Sequence, residues 1–171
     1  FGFSLEKVLE GRPWDTSDRF TFSIKTEGDG APVVADSVTV TKGHTSESFK
    51  NLALEKDKTY TYTIKETSQG GKGITVDTKE YKIEVIGTDK NDGTIEPTYY
   101  VNGVKVDEAN AKAIFTNTYS ATGTFGFSLE KVLEGRPWDT SDSFTFSIKT
   151  EGDGAPAVAS SVTVTKEQPS E

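Results

Sequence analysis

Three polar residues, Lys7, Glu66 and Asn117, continue the spacing of apolar side chains in segments that alternate as β-strands do. The apolar members of the three series are Phe1, Phe3, Leu5 and Leu9, then Tyr60, Tyr62 and Ile64, and finally Phe115 and Tyr119. Each polar residue also has an ordinary interpretation: a lysine near a strand end can reach water, a glutamate can end its strand at the surface, and an asparagine can cap a turn. If all three are buried together, they instead indicate a reactive site, because a buried ammonium is costly unless it is paired or neutral.

A lysine, a carboxyl group and an amide in one apolar core could form a covalent bond. Desolvation disfavours the charged forms of both Lys7 and Glu66. The neutral amine of Lys7 is a nucleophile, and a protonated Glu66 could polarise the Asn117 carbonyl and pass a proton to the leaving nitrogen. The product would be a Lys7–Asn117 isopeptide bond, with ammonia released. Because the folded core holds the reactants together, no cofactor is needed. The reaction occurs once and consumes its own residues, so we expect no turnover enzyme.

The sequence contains an internal repeat. Residues 125–166 repeat residues 1–42, and the copies differ only in the pairs Arg19/Ser143, Val33/Ala157 and Asp36/Ser160. The length of the repeated unit is that of an ordinary domain. The predicted organisation is one full repeat over residues 1–119, a linker over 120–124 and a truncated second repeat over 125–171.

Lys131 is the counterpart of Lys7 in the second copy. Between Lys131 and Glu171 no residue matches Glu66 or Asn117. We therefore expect Lys131 to form no bond of this kind within its own chain.

The elements that must hold these residues are short β-strands. Alternating segments recur along residues 1–119, and turns rich in glycine, asparagine and proline separate them. Residues 89–93 and 102–103 are hairpin signals, and residues 107–112 allow a single helical turn. Many short strands at regular spacing predict an all-β fold, an immunoglobulin-like β-sandwich.

The composition restricts the possible functions. The net charge is −8, whereas nucleic acids and anionic membranes require a basic face, so neither is expected as a partner. With no cysteine and one histidine, disulfides, zinc sites and thiol catalysis are excluded, and no metal site is predicted. The acidic loops 27–30 and 89–93 lack the ligand spacing of a calcium loop and are interpreted as turns. The sequence shows neither a signal peptide nor a long apolar segment.

Three segments resemble the signatures of a known family. They are Phe-Ser-Leu-Glu-Lys-Val-Leu-Glu-Gly around Lys7, Tyr-Thr-Tyr-Thr-Ile-Lys-Glu ending at Glu66, and Phe-Thr-Asn-Thr-Tyr around Asn117. In this order they are similar to the isopeptide-linkage repeats of Gram-positive pilins and surface adhesins, immunoglobulin-like domains of the CnaB and streptococcal pilin type. The resemblance covers residues 1–119. It implies Lys7 as the nucleophile, Asn117 as the electrophile and Glu66 as the acid/base catalyst.

The same resemblance implies a structural function. The chain would be a spacer repeat in a pilus shaft or in the stalk of a cell-wall-anchored, secreted surface protein, with neighbouring repeats as partners and an extracellular or fimbrial location. The alternative is an adhesin module that binds a host or matrix ligand through its loops. Near-identity of the two copies favours the spacer, because a stalk needs many equivalent units. A large apolar surface patch would favour the adhesin.

Near-identity also allows strand swapping with another copy, in which residues 125–166 replace residues 1–42. Replacement within one chain would have to return from Tyr119 to the start of the sandwich. The connection from Tyr119 to Phe125 spans at most about 20 Å at ~3.3 Å per residue. If the first and last strands run parallel, this connection disfavours replacement within the chain.

Overall fold

Alternation of apolar and polar residues produces ten strands between Phe1 and Ala121 and two more beyond them. The computed structural model describes all of residues 1–171. The strands are β1 (Phe3–Glu10), β2 (Arg19–Glu27), β3 (Ser37–Thr41), β4 (Ser46–Phe49), β5 (Thr59–Glu66), β6 (Ile74–Thr75), β7 (Glu80–Asp89), β8 (Ile95–Val101), β9 (Val104–Val106), β10 (Lys112–Tyr119), β11 (Ser143–Ser147) and β12 (Ser161–Thr165). A single 3-10 turn, Glu108–Asn110, precedes β10. None of the helical structure is long and apolar enough to span a bilayer.

The chain divides into two units, and each is described by itself. Unit 1 is Phe1–Ala121 and unit 2 is Thr122–Glu171. Unit 1 contains two sheets, whereas unit 2 contains one sheet of two strands.

The first sheet of unit 1 has the strand order β4-β1-β10-β6. β1 and β10 lie at its centre and run parallel, with Lys7 opposite Phe115 and Leu9 opposite Asn117. Paired residues share a face, and so do residues two apart on one strand, so Lys7 and Asn117 point to the same side of this sheet. Because the pairing is parallel, β1 begins at one end of the sheet and β10 finishes at the other.

The second sheet of unit 1 is antiparallel and has the strand order β3-β2-β5-β7-β8-β9. β5 is paired on both sides, and its last residue, Glu66, lies opposite Phe22 of β2. The alternation of β5 buries Tyr60, Tyr62 and Ile64. Glu66 continues that inward-facing series at the end of the strand.

Aromatic contacts join the two sheets. Phe3 of β1 and Tyr62 of β5 have ring centroids 4.4 Å apart, and Phe22 of β2 and Phe115 of β10 have ring centroids 5.0 Å apart. Since β1 and β10 belong to one sheet and β2 and β5 to the other, the core lies between two layers. This architecture confirms the predicted all-β sandwich.

Unit 2 reproduces a part of this architecture. β11 pairs antiparallel with β12 in the register by which β2 pairs with β3. In the segment that matches β1, Glu130 forms a bridge with Ser170. Some apolar side chains of this segment are exposed: Phe127 is 63% exposed, whereas its counterpart Phe3 is 4% exposed.

Candidate functional site

One carboxylate connects the three polar residues singled out in the sequence. The Lys7 amine donates a hydrogen bond to Glu66 Oε2 at 2.7 Å, and Asn117 Nδ2 donates to Glu66 Oε1 at 2.8 Å. The side chains of Lys7 and Glu66 are 0% exposed, and Asn117 is 0% exposed. The surface interpretations of these residues therefore do not apply, and the cluster lies in the core of unit 1.

The strand pairings explain why the three side chains meet. Lys7 and Asn117 come from neighbouring parallel strands and are offset by two residues in register, which makes them diagonal neighbours on one face. Glu66 comes from the opposing sheet, at the end of β5. The site is thus assembled from both layers and from segments far apart in the chain.

Burial alters the protonation of the lysine. Desolvation lowers the pKa of Lys7, although the hydrogen bond and charge of Glu66 and the charge of Asp77 oppose the shift. The Lys7 amine lies 5.0 Å from the ring centroid of Phe20 and 5.8 Å from that of Phe22. These rings surround the amine with apolar surface. The lowered pKa increases the fraction of neutral amine, the form that acts as a nucleophile.

The position of Glu66 suits proton transfer between two nitrogen atoms. Its Oε2 can accept a proton from the Lys7 amine, and its Oε1 side can deliver one to the Asn117 amide nitrogen. The sequence also predicts that Glu66 polarises the Asn117 carbonyl, and the structure differs in this one contact, because Glu66 meets the amide nitrogen. Asn117 Oδ1 instead accepts a hydrogen bond from the backbone N–H of Asp77 at 2.7 Å.

Comparison with protein families identifies the kind of domain to which this cluster belongs. The profile of the FctA family, described as the Spy0128-like isopeptide containing domain, matches residues 3–120. The chain belongs to this family. No curated protein matches the chain in a sequence comparison.

Several solved structures are similar to this isopeptide-domain chain. The major pilin from Streptococcus pyogenes is 19% identical, with a TM-score of 0.46 over 96% of this chain and 70% of the pilin. The major pilin T-13 from Streptococcus pyogenes is 18% identical, with a TM-score of 0.44 over 84% of this chain and 58% of the pilin. A C-terminal fragment of the pilus adhesin SpaC from Lactobacillus rhamnosus GG is 16% identical, with a TM-score of 0.36 over 72% of this chain and 47% of the fragment.

Asp77 is a residue of the isopeptide domain's site that the sequence analysis missed. It lies between β6 and β7, and its carboxylate accepts hydrogen bonds from the backbone N–H groups of Thr116 at 2.9 Å and Lys79 at 3.0 Å. Burial acts to raise the pKa of Asp77, but these two hydrogen bonds and nearby lysines outweigh it, and the pKa is lowered. The ionised carboxylate thus fixes the Asp77 loop to β10. Strand alternation gave no signal here, because Asp77 contacts Asn117 through its main chain.

Lys131 has the local surroundings of Lys7 without its partners. Its amine lies 4.9 Å from the ring centroid of Phe144, and that of Lys7 lies 5.0 Å from Phe20, the counterpart of Phe144. Lys131 forms no ion pair in the structure, whereas Lys7 pairs with Glu66. The structure therefore brings Lys7, Glu66 and Asn117 together and leaves Lys131 apart from any carboxylate.

The lowered pKa of Lys7 predicts a pH dependence of stability in Asn117→Ala, a variant that lacks the amide beside Glu66. Below the ordinary lysine value of 10.5, the unfolded state binds more protons at Lys7 than the folded state does. The free energy of unfolding therefore rises with pH until the lysine of the unfolded chain has also lost its proton.

Chemical denaturation between about pH 8 and pH 10 measures this slope. The rise should be steeper in Asn117→Ala than in the matched variant Asn117→Ala/Lys7→Met, which shares every other titratable group. Equal slopes would show that the folded-state pKa of Lys7 is not lowered.

Proposed function

We propose that unit 1 forms an isopeptide bond between Lys7 Nζ and Asn117 Cγ in a single, self-catalysed reaction. The observation that carries this proposal is the shared carboxylate, because Glu66 contacts the attacking nitrogen through one oxygen and the leaving nitrogen through the other. Membership of the isopeptide-containing family supports the same chemistry. Enclosure of the reactants in a packed core supplies the effective concentration that replaces a cofactor.

The proposed reaction is balanced within the three side chains. Lys7 gives a proton to Glu66, and the neutral Nζ then attacks Cγ of Asn117 to form a tetrahedral intermediate. Glu66 transfers protons from Nζ to Nδ2, the Cγ–Nδ2 bond breaks, and the nitrogen departs as ammonium. The product amide keeps one proton on Nζ, and Glu66 ends as a carboxylate. Glu66 therefore acts first as base and then as acid.

The backbone N–H of Asp77 stabilises the charge that develops during attack. Negative charge accumulates on Asn117 Oδ1 in the intermediate, and the Asp77 N–H already lies 2.7 Å from that oxygen. Loss of one such donor costs about 10²–10³ in rate in well-studied enzymes. The Asp77 side chain is a positioning group, since its contacts with β10 hold that N–H in place.

The biological role we propose is that of a spacer in an extracellular pilus shaft or similar surface fibre. The bond would join β1 and β10, which run parallel at the centre of one sheet, so the two ends of unit 1 leave the sandwich in opposite directions. Tension along the chain would then pass directly through the bond. A covalent link that closes a loop of about 110 residues also lowers the entropy of the unfolded chain. In the loop model used for disulfides, this stabilises the folded state by on the order of 4–5 kcal/mol. Membership of the isopeptide-containing family supports this role.

The surface of unit 1 supports the spacer over a ligand-binding adhesin. Its strongly exposed large aliphatic side chains are Val33 and Val104. Val33 precedes β3 and Val104 belongs to β9, and these strands form opposite edges of the six-stranded sheet. Isolated apolar residues of this kind are normal on a soluble surface and do not form a binding patch.

The intact mass of the purified chain tests the bond and its catalyst. The wild-type chain should be about 17 Da lighter than its calculated mass, the loss of one ammonia. Lys7→Ala removes the nucleophile and Glu66→Ala removes the proton carrier. The monomer of each variant should therefore have its full calculated mass. A full calculated mass for the folded wild-type chain would contradict the proposal.

Asp77→Ala provides a matched test of the positioning group. This variant keeps all three reacting side chains and the backbone N–H, and it loses only the contacts that hold the loop. We expect a partial mass deficit that grows on storage at constant temperature. A complete deficit at the earliest time would show that the Asp77 side chain does not position the site.

Single-molecule extension tests the spacer role. When the wild-type chain is pulled from its ends, the segment between Lys7 and Asn117 should add no contour length, because the bond closes it into a loop. Asn117→Ala should release about 110 further residues, roughly 370 Å of contour length at about 3.4 Å per residue. Lys131→Ala is the control and should extend like the wild type. An equal extension in the wild type and in Asn117→Ala would argue against transmission of force through the bond.

A further inference from the structure

The loop between β1 and β2 covers the Lys7 end of the site. Residues 11–18 connect the strand that carries Lys7 to the strand that carries Phe20. Trp14 of this loop packs edge-on against Phe20, with ring centroids 5.2 Å apart and an interplanar angle of 84°. The Lys7 amine lies 5.0 Å from the centroid of the same Phe20 ring. Phe20 is buried and Trp14 is partly exposed, so Trp14 forms the outer layer over the ring that contacts the amine.

An ion pair fixes the shape of this loop. Arg12 Nη1 and Nη2 donate to the two carboxylate oxygens of Asp18 at 2.7 and 2.8 Å, and the two side chains are 24% and 7% exposed. Asp18 Oδ2 also accepts a hydrogen bond from the backbone N–H of Asp15 at 2.7 Å, and Arg12 Nη1 donates to Pro13 O at 2.9 Å. A bidentate pair of this kind is geometrically specific. These contacts fix the backbone on both sides of Trp14.

The loop is also attached to β10, the strand that carries Asn117. The Arg12 guanidinium lies 5.0 Å from the ring centroid of Tyr119, two residues beyond Asn117. Gly11 has a φ of +89°, and a Cβ at this position would collide with the Tyr119 carbonyl oxygen. The backbone of the loop therefore passes directly against the end of β10. Trp14 is thus held relative to both strands whose side chains would react.

The second copy of the sequence shows that these contacts are determined locally. In residues 136–144, Arg136 donates to both carboxylate oxygens of Asp142 at 2.7 and 2.6 Å, and the ring centroids of Trp138 and Phe144 lie 5.4 Å apart. These residues match the ion pair and the ring pair of unit 1 one for one. The same geometry in two copies indicates that the loop sequence itself sets the position of the tryptophan.

We propose that Trp14 is a positioning residue for isopeptide formation: held by the Arg12–Asp18 pair, it keeps Phe20 against the Lys7 amine and thereby keeps water away from the amine. The inference rests on the proposed function, because it concerns the rate of the same bond-forming reaction. Trp14 acts through Phe20 and takes no part in the bond changes.

Exclusion of water favours the first step of the reaction, in which Lys7 gives a proton to Glu66. Water stabilises the charged amine and the charged carboxylate, whereas apolar surroundings favour their neutral forms. A chain without the Trp14 ring should therefore keep Lys7 protonated to a greater extent and form the bond more slowly. The charged groups that face the amine, Glu66 and Asp77, are unchanged in such a chain.

The rate of bond formation is measured in full chains made by cell-free translation. Synthesis is stopped, samples are denatured at intervals, and the intact mass gives the fraction that has lost about 17 Da. At about pH 7, Trp14→Ala should react about tenfold more slowly than the wild type, the effect of raising the pKa of the amine by about one. Trp14→Phe keeps an aromatic ring beside Phe20 and should restore most of the rate. Trp138→Ala removes the same side chain from the second copy and should match the wild type.

The pH dependence of stability separates this role from a purely structural one. In Asn117→Ala the free energy of unfolding should rise between about pH 8 and pH 10, because the folded-state pKa of Lys7 lies below that of the unfolded chain. Addition of Trp14→Ala moves the folded-state pKa towards its ordinary value and should make this rise shallower. Addition of Trp138→Ala should leave the rise unchanged. The same denaturation curves show whether the Trp14→Ala chain folds.

Asp18→Asn tests the ion pair that holds Trp14. This variant keeps an oxygen that can accept from the Asp15 N–H, and it loses the charge opposite Arg12. It should slow the reaction and make the rise of stability with pH shallower, as Trp14→Ala does. The matched variant Asp142→Asn should do neither. If Trp14→Ala does not fold, Asp18→Asn decides the outcome in its place.

Three results would overturn the inference. They are a Trp14→Ala chain that reacts as fast as the wild type, a Trp14→Phe chain as slow as Trp14→Ala, and a slower reaction with an unchanged pH dependence, which a structural defect alone would produce. Each leaves the proposed function intact, because the wild-type chain still loses ammonia. A wild-type chain with no mass deficit would overturn the proposed function, and the inference with it.

Discussion

The structure of unit 1 depends on one buried ion pair, that of Lys7 with Glu66 at 2.7 Å. Two groups of this kind are costly to desolvate, and they persist in a core only when their remaining hydrogen-bonding capacity is satisfied. Glu66 meets this condition by accepting from Asn117 as well. The pairing of β1 with β10 and the placement of β5 across the core are therefore linked through one carboxylate. Burying the charged Lys7 and Glu66 side chains costs desolvation free energy. A reaction that converts the Lys7 amine into a neutral amide removes the charge of the lysine from the core.

Much of the fold and site could be predicted from the sequence, because alternation reports directly on which side chains face inward. Lys7, Glu66 and Asn117 continue apolar series, and each is indeed directed into the core. The β-sandwich followed from the same alternation and from the turns. The near-identical copies identified Lys131 as the counterpart of Lys7, and their local geometries agree.

Other features could not be predicted, because they depend on pairings between distant segments. The parallel register of β1 and β10, which makes Lys7 and Asn117 diagonal neighbours, is not encoded in either strand alone. The contact of Asp77 with Asn117 uses a backbone N–H that every residue except proline possesses, so residue type gives no signal for it. For the same reason the carbonyl contact was assigned to Glu66 from the sequence, although Glu66 lies at the amide nitrogen.

Peptide mapping of the digested wild-type chain shows whether Lys7 and Asn117 become covalently joined. Loss of ammonia alone does not locate a bond, since an asparagine followed by glycine, as at Asn102, can lose ammonia by cyclising on its own backbone. We expect one branched peptide, in which the segment around Lys7 is joined to the segment around Asn117, and we expect it to be absent from Glu66→Ala. Recovery of these two segments as separate, unmodified peptides from the folded wild-type chain would contradict this expectation.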